Sequence, residues 1–343
     1  MLGCTRRAAL LLSALLALLS PFLVAPSQAA APSYVALGDS YSSGTGTRSY
    51  ISDGTSCQRS TTAYPSLIAA ARGYALNFRA CSGAKVPDVT NTQLSAITAA
   101  TTYVTISVGG NDAGFADVLT ECALPGWMSN CNGKINTAQA YIASTLPAQL
   151  AGLYSAIRSR APYAKVVVVG YPRVFMGKDC NAFTWFSPTE QTRLNQTADQ
   201  LNAKTASLAA AQGFSFANPT AAFTGHAVCD TPEYINGLSS PVSESYHPNV
   251  LGQGSGYTPL VSPVLTGAPV VVTAQVVADS AASGSSQAEL QQQYAAADRA
   301  IEPEIVLAPD LTTPEARRAA RRAGIDIDRF IEKSQSEAQV LRR

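Results

Sequence analysis

Five short apolar runs punctuate an otherwise polar and alanine-rich chain. They are Tyr34 to Leu37, Tyr74 to Phe78, Tyr103 to Val108, Lys165 to Gly170 and Phe214 to Ala217. None alternates cleanly between apolar and polar, so each reads as a strand buried on both faces. Helical stretches separate them. Thr62 to Arg72 is one, and Thr137 to Arg160 is a second, with a bend or break expected at Pro147. Pro188 to Gln212 is a third, with Ser187 and Glu190 at capping-box spacing before and within its first turn. Strands alternating with helices predict a parallel sheet covered on both sides, a three-layer α/β/α domain. The pattern changes after about Thr266. Gly267 to Ala278 is rich in Val and Ala, Ser280 to Gln287 reads as a linker, and Glu289 to Ala300 and Thr313 to Arg343 read as charged amphipathic helices. Arg317, Arg318, Arg321 and Arg322 form a small basic cluster, which reads as a solvated helix face.

Composition narrows the class. With 46% hydrophobic and 14% charged residues the 343-residue chain can bury a large core under an uncharged polar surface. A net charge of +1 gives no steering toward nucleic acid or strongly anionic membranes. The first 30 residues read as a secretory leader. Arg6 and Arg7 precede the apolar stretch Ala8 to Leu19, and Ser27-Gln28-Ala29 or Ala29-Ala30-Ala31 offers small residues for cleavage. Later runs fall short of the roughly 18 apolar residues that a spanning helix needs. An exported, monomeric protein with no stable membrane span is expected.

Cysteine usage points the same way. Cleavage would remove Cys4 and leave six cysteines, a number suited to disulfides outside the cytosol. Pairing neighbours in sequence gives Cys57 with Cys81, Cys122 with Cys131 and Cys180 with Cys229. No Cys-x-x-Cys pair supports a zinc site, and no metal or cofactor is expected.

The candidate chemistry begins where the first strand meets Gly38. Ser40 comes two residues later, at the end of a strand where ligands bind in open α/β sheets, and is a candidate nucleophile. Asp39 and Ser40 could also serve only as helix caps. A serine nucleophile needs a base. The chain has two histidines, and His247, in a loop before the last helix of the domain, is better placed than His226 in its cysteine-adjacent loop. The base needs an orienting acceptor, either the Glu244 carboxylate or the backbone carbonyl of Ser245. Oxyanion donors are available from Gly83 after the second strand and from Asn111 in the Gly109-Gly110-Asn111-Asp112 block after the third. Three aromatics in one connecting segment, Phe183, Trp185 and Phe186, could hold an acyl chain.

These blocks, in this order, resemble the GDSL or SGNH hydrolases. With the leader and six loop cysteines, the chain is most similar to the secreted actinomycete lipase and esterase branch. The resemblance spans about Ser33 to Leu265. It implies a flavodoxin-like sheet and hydrolysis of carboxylic esters. It implies Ser40 as nucleophile, His247 as base, and Gly83 and Asn111 as oxyanion donors beside Ser40. Much of that family has Asp where this chain has Glu244, so a Ser40–His247 dyad oriented by the Ser245 carbonyl is the preferred reading. The expected organisation is a leader over 1–30, a hydrolase domain over 31–266 and a linker with a helical extension over 267–343. The expected activity is cleavage of lipid acyl esters through an acyl-enzyme. Its rivals are a small-ester or carbohydrate acetylesterase and a non-catalytic binding module.

Overall fold

A computed structural model of the chain describes residues 30–341; the leader expected at the N-terminus falls, apart from its last residue, outside them. The five apolar runs become β1 (Ser33–Gly38), β2 (Ala75–Phe78), β3 (Tyr103–Ser107), β4 (Lys165–Val169) and β5 (Ser215–Ala217). All pair in parallel, in the order β2-β1-β3-β4-β5. Val35 lies opposite Val104 and Leu37 opposite Ile106. Tyr34 to Leu37 are buried side by side, which a strand permits only when both of its faces are covered.

The helices are α1 (Ser40–Ser43), α2 (Tyr64–Arg72), α3 (Val86–Asp88), α4 (Phe115–Cys122), α5 (Cys131–Ser144), α6 (Leu146–Arg160) and α7 (Pro188–Ala211). They continue with α8 (Thr220–Phe223), α9 (Thr258–Thr266), α10 (Ala274–Ala282), α11 (Gly284–Gln292), α12 (Ala295–Asp298), α13 (Pro314–Ala323) and α14 (Ile327–Leu341). α2 and α9 pack together over one face of the sheet, and α5, α6 and α7 form a second group over the other. The chain order reverses between β1 and β3, which makes the carboxyl ends of these two strands a natural crevice.

The break expected at Pro147 is found, and two other expectations change. Thr137 to Arg160 forms two helices, because Pro147 sits in the first turn of α6 and cannot continue the hydrogen bonding of α5. The long helix expected after Thr313 is likewise two, broken at Gly324, whose φ of +70° caps α13. The linker expected at Ser280 to Gln287 is helical. Its small side chains let α10 lie close along α2, and the buried Ser280 hydroxyl donates to the Thr61 carbonyl at 2.5 Å. α11 covers the free edge of β2, where Gln287 Nε2 donates to the Leu76 carbonyl. α10 to α14 belong to the same compact unit as the sheet. α7 opens as its sequence predicts, with reciprocal bonds between Ser187 and Glu190. Among the described residues no helix is long and apolar enough to cross a membrane.

Candidate active site

The turn after β1 is built around a glycine. Gly38 has φ +120°, and a Cβ there would stand 2.2 Å from the Ser107 carbonyl oxygen. Gln93 brackets the same residue: its Oε1 accepts from Gly38 N–H at 2.7 Å and its Nε2 donates to the Gly38 carbonyl at 2.9 Å. Asp39 then caps α1, accepting from the Tyr41 N–H at 3.0 Å, from Ser107 Oγ at 2.9 Å and from the Tyr171 hydroxyl. Burial pushes the Asp39 carboxyl up to about 6, while the bonds from Tyr171 and Ser107 pull it down. The capping role falls to Asp39, and Ser40 is freed to be the first residue of the helix.

Ser40 Oγ lies 2.8 Å from His247 Nε2. On the far side of the ring, His247 Nδ1 lies 2.9 Å from the Ser245 carbonyl oxygen. A carbonyl only accepts, so Nδ1 carries the proton and Nε2 is left to accept from the serine. The loop that carries the ring is fixed at several points. Asn236 N–H donates to the His247 carbonyl at 2.9 Å, and the Tyr41 hydroxyl donates to the Tyr246 carbonyl at 2.8 Å. Tyr41 and Phe115 flank the imidazole. Burial pushes His247 down to about 4, against the pull of the Ser245 carbonyl and the Glu244 charge. Glu244 itself is engaged elsewhere: it accepts from Arg48 Nε at 2.7 Å and from the Tyr50 hydroxyl at 2.9 Å. His226 stacks on Tyr234 and holds the Pro232 carbonyl, apart from this group.

The other candidate donors converge from neighbouring strand ends. Gly83, after β2, has φ +85°. Asn111, after β3, is 7% exposed, and its Nδ2 donates to the Ala84 carbonyl at 3.1 Å. This bond ties the two loops together. Among the described residues no backbone carbonyl takes up the N–H of Ser40 or of Gly83. Asp112 accepts from Val86 N–H at 3.1 Å and is pushed up to about 6 by burial. Disulfides join Cys57 to Cys81, Cys122 to Cys131 and Cys180 to Cys229. Among the described residues one group of metal-type side chains gathers, Cys180, Cys229 and Glu233, and its two sulfurs are bonded to each other.

An apolar hollow of about 70 Å³ adjoins the site, lined by Gly110, Phe115, Leu119, Ile142, Tyr171 and Leu201 among others. The aromatic segment expected to hold an acyl chain does not line it. Phe186 is buried against Phe175 and Tyr246, and Trp185 packs on Phe330 of α14. The segment instead lines a separate open hollow with Ser334 and Glu337 of α14.

Two supporting residues escaped the sequence reading. Gln93 sits in an irregular helical turn with no motif around it. Tyr171 follows β4, and the rule that strand ends build the site would have found it.

Residues 36–254 match the model of the GDSL-like lipase/acylhydrolase family. Lipase 1 of Streptomyces coelicolor is 48% identical over 237 residues, which is 68% of this chain and 87% of that protein. The crystal structure of an extracellular lipase from Streptomyces rimosus is 47% identical with a TM-score of 0.64, covering 69% of this chain and 100% of that one. A phospholipase A1 from Streptomyces albidoflavus is 44% identical with a TM-score of 0.64, covering 69% and 99%. The chain therefore belongs to the GDSL-like lipase/acylhydrolase family and is an ester hydrolase.

Proposed function

We propose that the chain is a secreted hydrolase that cleaves acyl esters of lipids through an acyl-enzyme on Ser40. The contact that carries the reading is Ser40 Oγ to His247 Nε2, 2.8 Å, with the ring held from behind by the Ser245 carbonyl. His247 takes the hydroxyl proton as Ser40 Oγ attacks the ester carbonyl carbon. The Ser40 and Gly83 N–H groups and Asn111 Nδ2 hold the developing oxyanion. Collapse expels the alcohol, which leaves with the proton from His247. Water activated by the same ring then frees the carboxylic acid. A neutral carbonyl steadies the imidazolium less than a carboxylate would, and Ser40 and His247 act as a dyad.

Lipid substrates are supported by the named relatives, two lipases and a phospholipase A1, and by the apolar hollow beside Asn111, which suits an acyl chain. Secretion is supported by the three disulfides and by the extracellular relative. The test is hydrolysis by the purified protein of a long-acyl phospholipid, a triacylglycerol and a short acetyl ester, with Ser40→Ala as control. Long-acyl cleavage that is lost in Ser40→Ala supports the reading. Cleavage of the acetyl ester alone moves the assignment to a small-ester esterase, and no cleavage in any arm sinks it.

A further inference from the structure

The family match ends at residue 254, and 69% of this chain covers the whole of the Streptomyces rimosus lipase. The segment beyond α9 is therefore an addition to a body that is complete in that relative. It does not trail away. Asp298, at the end of α12, is buried between two buried arginines: its Oδ2 accepts from Arg59 Nη2 at 2.5 Å and its Oδ1 from Arg79 Nη2 at 2.7 Å. Ile301 and Val306, each 3% exposed, join the main core and fix a short run between them. That run crosses Gly83. A Cβ on Gly83 would stand 2.1 Å from the Glu302 carbonyl oxygen and 2.8 Å from Pro303 Cα. Glu304 pairs with Lys85 at 2.6 Å, and Leu307 N–H donates to Thr120 Oγ1 in α4 at 2.9 Å. Ser40 and His247 are only 4% and 5% exposed.

We propose that Ile301–Leu307 is an autoinhibitory strap over the ester site. The inference rests on the reading that Gly83 serves that site. The backbone of Glu302 and Pro303 occupies the Cβ side of Gly83, so an ester that approaches the Gly83 N–H from that side meets the strap. The two ends of the strap are held unequally. Upstream, Asp298 is locked between buried charges, whose separation would leave two arginines without it. Downstream, no buried charge is at stake: Val306 sits in the core, Leu307 N–H donates to Thr120, and the partly solvated Lys85–Glu304 pair contributes little. Beyond it, α13 and α14 share a small second core with Trp127 and Trp185, built on Leu311, Ala316, Ala320 and Ile327, with Phe330 against both indoles. The strap therefore lifts from its downstream end, while α10 to α12 stay docked.

The test compares the full mature chain with a variant carrying Glu302→Gly, Pro303→Gly and Glu304→Gly together. A cut after Thr266 would also remove Asp298 and threaten folding; the glycine variant keeps that anchor. The readouts are the rate at which a fluorophosphonate labels Ser40, the rate of long-acyl ester cleavage, and the thermal midpoint. Labelling and cleavage faster by about tenfold or more at an unchanged midpoint support the strap. Equal rates in parent and variant overturn it and leave the ester reading standing. Two folded proteins that both fail to label overturn the strap and the ester reading together.

Discussion

Glu244 is paired with Arg48, not with His247: Arg48 Nε donates to Glu244 Oε2 at 2.7 Å while the imidazole Nδ1 faces the Ser245 carbonyl at 2.9 Å. The carboxylate nearest in sequence to the base is a brace for the loop. Glu244→Gln should therefore keep turnover within about tenfold of the parent, whereas His247→Ala should lose roughly a thousandfold or more. Steady-state kinetics on one soluble ester decides it, and a collapse in Glu244→Gln as deep as that in His247→Ala would restore the triad.

Asn111 spends a side-chain N–H on the Ala84 carbonyl in the resting site. If it turns to the oxyanion during the reaction, Asn111→Ala should lower kcat by about 100-fold or more with little change in KM. Near-parental kcat would remove Asn111 from the site chemistry.

The base is starved of water. Burial holds His247 near 4, below its ordinary value of 6.5, so the ring stays neutral through mildly acidic pH. The acid limb of kcat/KM should therefore fall clearly below 6.5. Between these two values the unfolded chain binds the histidine proton and the folded chain does not, so this group makes stability fall as pH drops through that window. Asp39 and Asp112, raised to about 6 by burial, act in the opposite sense. A pH–rate profile whose acid limb sits at or above 6.5 would contradict the first expectation.

The hollow beside Asn111 is small enough to be filled by one side chain. Ala198 in α7 lines it, together with Thr197 and Leu194. Ala198→Phe should cut long-acyl cleavage by about tenfold or more and leave acetyl-ester cleavage nearly unchanged. A uniform effect on both chain lengths would show that acyl groups lie elsewhere.

The two buried arginines share the Asp298 carboxylate, and Arg59 has a second partner in Asp53. Burial pushes Asp298 up, yet the bonds and charges of Arg79 and Arg59 outweigh it and hold the group below its ordinary range. Its contribution is present at neutral pH and lost as pH falls through the carboxylate range. Asp298→Asn should cost about 3–5 kcal/mol, measured by denaturant unfolding near neutral pH. A loss under about 1 kcal/mol would mean that Asp53 suffices for Arg59 and Gln291 for Arg79.

Much of this was legible in the chain itself. The strands announced themselves because a sheet covered on both faces demands unbroken apolar runs. The Ser40–His247 pair was within reach because Ser40 comes soon after such a run and the histidines were few, and the proposed roles of Gly83 and Asn111 rest on the same placement after strands. The partner of Glu244 could not be read, since Arg48 lies far from it in sequence and ahead of the loop it braces. Nor could the fate of Trp185, whose neighbour Phe330 comes from a segment that looked solvent-facing. The extension was legible as helices but not as a cover. Ser280 to Gln287 has a linker's composition, and only its closeness to α2 gives small residues a reason to be helical.

Asp298 also sets an order in time. A chain is made from its N-terminus, and Arg79 precedes its counter-ion by 219 residues. Until that carboxylate is synthesised, the loop that leads into Gly83 carries an unanswered charge at its base. A late part of the chain thus completes the neighbourhood of an early one, and the strap arrives with it. A newborn molecule of this enzyme would pass directly from unfinished to closed.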